Sequence, residues 1–263
     1  MVNPVRKIID ANDVKNGETV SFVTKTGVIN SYRSGDPNSE TGMDLDTRFD
    51  NPRFFKGDSS GLQTTTTYTI ATGADDGLAA TSYKSSSSNS TYTTGFTNSS
   101  AISYLGVNYD DEEIEYKYYA GYFRFTNIAA AQGATIKSAY LSLYKTAYIG
   151  FTGNHSFYVA ALDADNRAAP TTASHLNHSN YTTAEVVWND DGAIRTASND
   201  SFVKSPDIKT VIQEIVDRPG WSTGNSIVLM FFQKTAPSDT YAMPRFEFYD
   251  DSASNTPKLE ITV

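Results

Sequence analysis

Oxygen-rich side chains are the first candidates for chemistry in this chain. Asp163-Ala164-Asp165-Asn166 offers three hard oxygen ligands within four residues, the donor type that calcium takes. The run lacks the glycine and the distal glutamate of an EF-hand loop, so calcium is the one cofactor the residues suggest, and otherwise none is expected. Carboxylates also occur as Asp75-Asp76, Asp110 to Glu113 with Glu115, Asp190-Asp191 and Asp250-Asp251. Glycoside hydrolysis needs two carboxyls about 5 to 9 Å apart across a cleft, one of them raised in pKa by burial. Neighbouring acids in polar loops read instead as a solvated acidic surface. Gly57-Asp58-Ser59-Ser60-Gly61 has the look of a nucleophile string, but no helix pattern follows it, and three histidines are all the chain has to serve as base. His175 and His178 have metal-compatible spacing only on a helix, and they lie in a polar loop. The expectation is a protein that is not an enzyme.

Aromatic rings are the second candidates. Tyr116, Tyr118, Tyr119 and Tyr122 cluster in one strand-like run, and a flat ring beside acids and amides can stack on a sugar. Alternation places Tyr116, Tyr118 and Tyr122 on one face, where packing competes with sugar binding as their use.

Such groups must be held by something, and the elements are legible. Ser205 to Trp221 is the strongly helical segment: Ser205 can cap, Pro206 suits the first turn, and Ile208, Val211, Ile212 and Ile215 make one apolar stripe before Pro219-Gly220 stops it. The spacing predicts a helix over about 205–217. Elsewhere the chain reads as strands: Thr65 to Ala71, Ile102 to Val107, Glu112 to Phe125, Ala139 to Tyr144, Phe157 to Leu162, Glu185 to Trp188, Ile227 to Phe232, Arg245 to Tyr249 and the last residues through Val263. Lys84 to Ser100 is a low-complexity stretch expected to be a long exposed loop. Eight to ten strands and one helix predict an all-β jelly-roll sandwich.

The order of GYFRFTNIAAAQGATIKSAYLSLY, the helix, NSIVLMFFQ and RFEFYDDSASNTPKLEITV resembles jelly-roll modules of the DNRLRE type. These are carbohydrate-binding-module-like sandwiches on bacterial surface proteins and tailed-phage virion proteins. The resemblance runs from about Thr65 to Val263. It implies the sandwich fold, and it leaves function open because one fold hosts many activities.

Residues 1–60 differ from that body. Gly17 to Val23 and Gly27 to Ile29 predict a small hairpin, and the rest predicts an extended N-terminal arm with scattered Phe49, Phe54 and Phe55. With 8 basic against 9 acidic residues, this arm is nearly neutral, whereas residues 61–263 carry about eight of the nine net negative charges. Nucleic acid and anionic membrane surfaces are thereby disfavoured as partners. No stretch approaches the eighteen apolar residues of a membrane span. The chain has no cysteine, so size must supply its stability.

The Ser/Thr/Asn/Tyr tracts have the character of an outward-facing sandwich, yet the first residues carry no apolar signal core. Together these suggest a virion protein, assembled in a host cytoplasm and released by lysis. The expected function is capsid decoration or a head fibre on a tailed bacteriophage. The body would face outward, and the arm would dock on a capsid or other virion protein through Phe49, Phe54 and Phe55. A homotrimer would suit the threefold positions of a shell. The alternative is a carbohydrate-binding or adhesin module at a cell surface, with a glycan as partner and Tyr116, Tyr118, Tyr119 and Tyr122 as its platform.

Overall fold

The computed structural model describes residues 63–263 except 85–89, 94, 100–101, 111, 113–114, 151–154, 190–193 and 236–241, together with the strand segments 8–9, 19–23, 29–33 and 54–55. The chain divides into two units, Met1–Gln63 and Thr64–Val263. In the first, β1 (Ile8–Ile9) pairs antiparallel with β4 (Phe54–Phe55), and β2 (Thr19–Val23) with β3 (Ile29–Arg33). The β2–β3 pair is the hairpin expected there.

Among its described residues the second unit is all-β with one short α-helix. Its strands are β5 (Thr65–Thr69), β6 (Asp76–Lys84), β7 (Gly95–Thr97), β8 (Ile102–Tyr104), β9 (Gly106–Asp110), β10 (Glu115–Phe125) and β11 (Ser138–Gly150). They continue as β12 (Ser156–Ala161), β13 (Val186–Asn189), β14 (Ser201–Lys204), β15 (Ile227–Phe232), β16 (Ala242–Glu247) and β17 (Lys258–Thr262). All pairings are antiparallel, and together they make one continuous network that folds into two layers. The first layer runs β7-β6-β10-β15-β12-β13. In the second, β11 has β14 on one side and β17 followed by β16 on the other; β5 flanks β17 and β8 flanks β16. β9 joins the layers by pairing with both β10 and β16.

Alternation explains the core. Phe123, Phe125, Phe157, Val159, Trp188, Leu229 and Phe231 point from the first layer at Leu141, Leu143, Val203, Phe246, Leu259 and Ile261 of the second, all buried in one cluster. Phe231 is the hub: it stacks on Phe157 at 4.9 Å and meets Trp188 and Phe246 edge-on at 5.6 Å. Each such side chain contributes about 1.5–3 kcal/mol through burial.

The helix α1 spans Lys209–Val216, starting three residues later than Ser205 as cap and Pro206 as first helical residue imply. Ser205 is still extended: its amide donates to Leu141 O, and its hydroxyl accepts the Leu141 amide at 2.9 Å. Asp207 takes over the start, its Oδ1 accepting the amides of Lys209 and Ala139, each at 3.0 Å. Sheet pairing has outcompeted the local cap signal. The apolar stripe is as expected, with Ile208, Val211, Ile212 and Ile215 buried in the inter-layer core, where α1 packs on β11 and β12 and so closes one end of the sandwich.

Three other expectations are corrected. Ile102 to Val107 is two strands, broken at Leu105 because Gly106 sits at φ +125°, where a Cβ would lie 2.1 Å from Ala242 O. Part of the supposed exposed loop from Lys84 to Ser100 belongs to the fold, since β7 pairs with β6 and Tyr92 is fully buried. Two strands without an apolar rhythm, β6 and β14, were not foreseen: pairing with β10 and β11 makes them strands.

Candidate functional site

The tyrosine run sits in β10, and alternation does place Tyr116, Tyr118 and Tyr122 on one face. That face is the outer side of the first layer, and it is covered. Tyr92, Leu176 and the partly buried Tyr181 fold over it and join Tyr116, Tyr118, Tyr122, Val228, Met230 and Phe232 in a second apolar cluster. Tyr116 packs on Tyr109 at 4.8 Å, and Tyr122 stacks on Phe96 at 5.9 Å while its hydroxyl donates to Ala74 O at 3.2 Å. Exposures of 7%, 1% and 0% leave Tyr116, Tyr118 and Tyr122 no ring face for a sugar. Tyr119, on the opposite face, is half-buried. The platform expected here is core, because the chain crosses back over the sheet.

The calcium candidates are also otherwise engaged. Arg218, just after α1, donates from Nη1 to Asp163 and from Nε to Asp165 Oδ1 at 2.6 Å. Asn166 Oδ1 accepts the Ser226 amide at 3.0 Å, and Asp165 O accepts from Asn225 Nδ2. A guanidinium therefore fills the position a cation would take, and Asp163, Asp165 and Asn166 do not fit calcium. Gly220 belongs to the same clasp, since a Cβ there would lie 2.1 Å from Asp165 Oδ2.

The two histidines part company in consecutive 3-10 turns. His175 Nδ1 faces the Thr171 amide, while His178 Nε2 lies 3.3 Å from the Tyr92 hydroxyl, among the rings of Tyr92, Tyr181 and Phe232. Burial, with Lys234 nearby, pushes His178 down to about 4, so the ring is neutral and structural. Among the described residues, no three His, Asp or Glu side chains gather as metal ligands would. Asp110 is paired with Lys117 at 2.9 Å. Gly57 to Gly61, Asp190-Asp191 and Phe49 lie outside the described residues. Phe54 and Phe55 form β4, opposite Ile9 and Ile8.

Two arrangements were not foreseen. One is the outer face of the second layer, where Tyr140 and Tyr144 of β11, Phe202 and Lys204 of β14, and Lys258 and Glu260 of β17 lie side by side. Tyr144 meets Phe202 edge-on at 5.2 Å, Lys204 Nζ lies 4.1 Å from the Tyr140 ring centre, and Lys258 Nζ 3.9 Å from that of Phe202. Lys204 also pairs with Glu260 at 2.5 Å. Here rings and both signs of charge share an open sheet face, and Phe202 is 38% exposed. The alternation of Tyr140, Ser142 and Tyr144 against Ala139, Leu141 and Leu143 was the available signal for it. The other is a buried acidic pair, Asp75 and Asp76, with the exposed Asp250 beside it. Its signal was only a pair of adjacent aspartates.

No family model matches the chain, and no curated protein matches it. The fold thus defines an all-β sandwich protein, and its function has to be argued from the chain's own surfaces.

Proposed function

We propose that this protein is a non-enzymatic structural component of a tailed-phage virion, decorating the capsid or forming a head fibre. In this reading Met1–Gln63 docks on a virion protein, with Phe49, Phe54 and Phe55 among the contacts, and Thr64–Val263 faces outward. Copies associate as homotrimers, which turns weak single contacts into tight attachment. The observation that carries the reading is the division of the chain: a sandwich whose inner space and one outer face are filled by its own side chains, preceded by a separate unit. The acidic body suits an outward, solvated position. The test adds full-length protein, or a chain beginning at Thr64, to undecorated heads. Full-length protein should bind, and the shorter chain should melt cooperatively yet fail to bind. Full occupancy by the shorter chain would refute the docking role.

Glycan binding is the second reading, favoured by the open face of Tyr140, Tyr144 and Phe202. Lys204 and Lys258 lie over two of these rings and would swing aside to hydrogen-bond a sugar. Retardation in polysaccharide gels that is lost in Phe202→Ala would support it. Equal mobility of both proteins on every polysaccharide would remove it.

A further inference from the structure

The turn between β5 and β6 lies against the loop that precedes β17, and three carboxylates meet there with one cation. Each nitrogen of Arg124 in β10 makes one bond: Nη1 donates to Asp75 Oδ1 at 2.6 Å, Nε to Arg167 O at 2.8 Å and Nη2 to Ser226 Oγ at 3.0 Å. Thr72 Oγ1 lies 3.2 Å from the other oxygen of Asp75. Asp76 is 1% exposed; its Oδ2 accepts the Tyr249 amide at 2.8 Å, and its Oδ1 has no hydrogen-bond partner among the described residues. Asp250 presses on the turn so closely that a Cβ on Gly73 would lie 2.2 Å from its Oδ1. Tyr122 of β10 reaches the same turn through Ala74 O. Among the described residues, the titratable and charged groups facing Asp76 are thus Asp75, Asp250, Tyr122 and Tyr249, with Arg124 joined through Asp75.

We propose that Asp76 is a proton-operated latch between the 72–77 turn and the 248–251 loop. Protonated, it is a neutral group that tolerates burial and keeps its bond to Tyr249. Ionised, it holds a buried charge whose Oδ1 has no donor among the described residues, beside two further carboxylates, and the turn lifts to solvate it.

The titration agrees with the geometry. Burial is the largest cause raising Asp76 from 3.8 to about 7; the Tyr249 amide works against it, and Asp250 and Asp75 add to it. The same three aspartates help burial push Tyr122 above the ordinary tyrosine range. Because the folded value exceeds the unfolded one, the latch stabilises fully below about pH 4 and is lost as pH rises through about 7.

The test compares the full-length protein with Asp76→Asn, whose amide keeps the acceptor for Tyr249 and never ionises. Subtracting the two melting curves removes pH effects from elsewhere, His178 included. Between pH 5.5 and 8.5 the difference in Tm should move by about 5 °C in favour of the variant. By NMR, the Tyr249 amide should exchange faster in the wild type than in Asp76→Asn above pH 7. Asp250→Asn should keep the transition and shift it to lower pH. Parallel melting profiles for wild type and Asp76→Asn would overturn the latch. So would calcium at pH 8.5 raising the wild-type Tm but not that of Asp76→Asn, because the carboxylates would then seat a cation rather than a proton.

Discussion

Replacing Ile212 tests whether α1 is a structural plug. Ile212 is fully buried in the inter-layer core with Val211, Ile215 and Val216, and α1 touches a strand from each layer. Ile212→Ala removes three carbons and leaves a cavity that neither layer can fill without bending its sheet, a loss of about 3 kcal/mol. In a body of this size that corresponds to a fall in Tm of about 6–12 °C, or about 1–2 M in urea midpoint. Ile212→Asp adds an unpaired buried charge at a further cost of about 3–5 kcal/mol. The sum approaches a typical total stability of about 5–15 kcal/mol, so this variant should be largely unfolded near 37 °C. Thr210, exposed on the same helix, supplies the control, and Thr210→Ala should stay within about 0.5 kcal/mol of wild type. Urea titration followed by far-UV circular dichroism reads all three. An Ile212→Ala midpoint equal to that of Thr210→Ala would refute the reasoning and turn the stripe into a surface.

Other perturbations follow from the same structure. His178 is neutral in the fold, with a pKa near 4 against 6.5, so its contribution is present above pH 6.5 and lost as pH falls toward 4; His178→Phe should remove about 2 kcal/mol of that acid-side loss in pH-dependent melting. Arg218→Gln frees Asp163 and Asp165, both partly exposed, and should cost about 1 kcal/mol. Calcium should raise the melting temperature of that variant and leave the wild type unchanged; a wild-type response matching the variant's would show that Arg218 does not fill the cation position. Lys145 is buried with its ammonium on the carbonyls of Arg195 and Ala197, and Lys145→Ala should cost about 1–3 kcal/mol in urea titration, because two half-buried acceptors lose their donor. Light scattering of the full-length protein should give three times 28.8 kDa, and a monomer mass at every concentration would exclude the trimer.

Much of the fold was legible because local pattern and final environment agree. Leu141 and Leu143 alternate with Tyr140 and Tyr144, and β11 buries the first pair between the layers while the second pair faces out. The stripe of Ile208, Val211, Ile212 and Ile215 matches a helical face, and α1 buries it. Where the start of α1 differs, Ser205 had two local options, and its bonds to Leu141 favoured the sheet. Asp76 to Lys84 has Gly, Ala, Ser and Thr in place of an apolar rhythm, so only nine paired positions along β10 make it a strand.

The candidate sites depended on distance along the chain. Residue types and spacing alone determined that Tyr116, Tyr118 and Tyr122 share a face, that the oxygens of Asp163, Asp165 and Asn166 are hard ligands, and that Asp75 and Asp76 are adjacent. Tertiary structure decided how each is used. Tyr92 and Leu176 arrive from elsewhere to cover the tyrosines; Arg218 comes from more than fifty positions away to clasp Asp163 and Asp165; Asp250 closes on Asp76 from the far end of the chain. The periods of 2 and 3.6 residues set where a side chain points. What it meets there, and so whether a ring stays open or a carboxyl keeps its proton, depends on segments that only folding brings together.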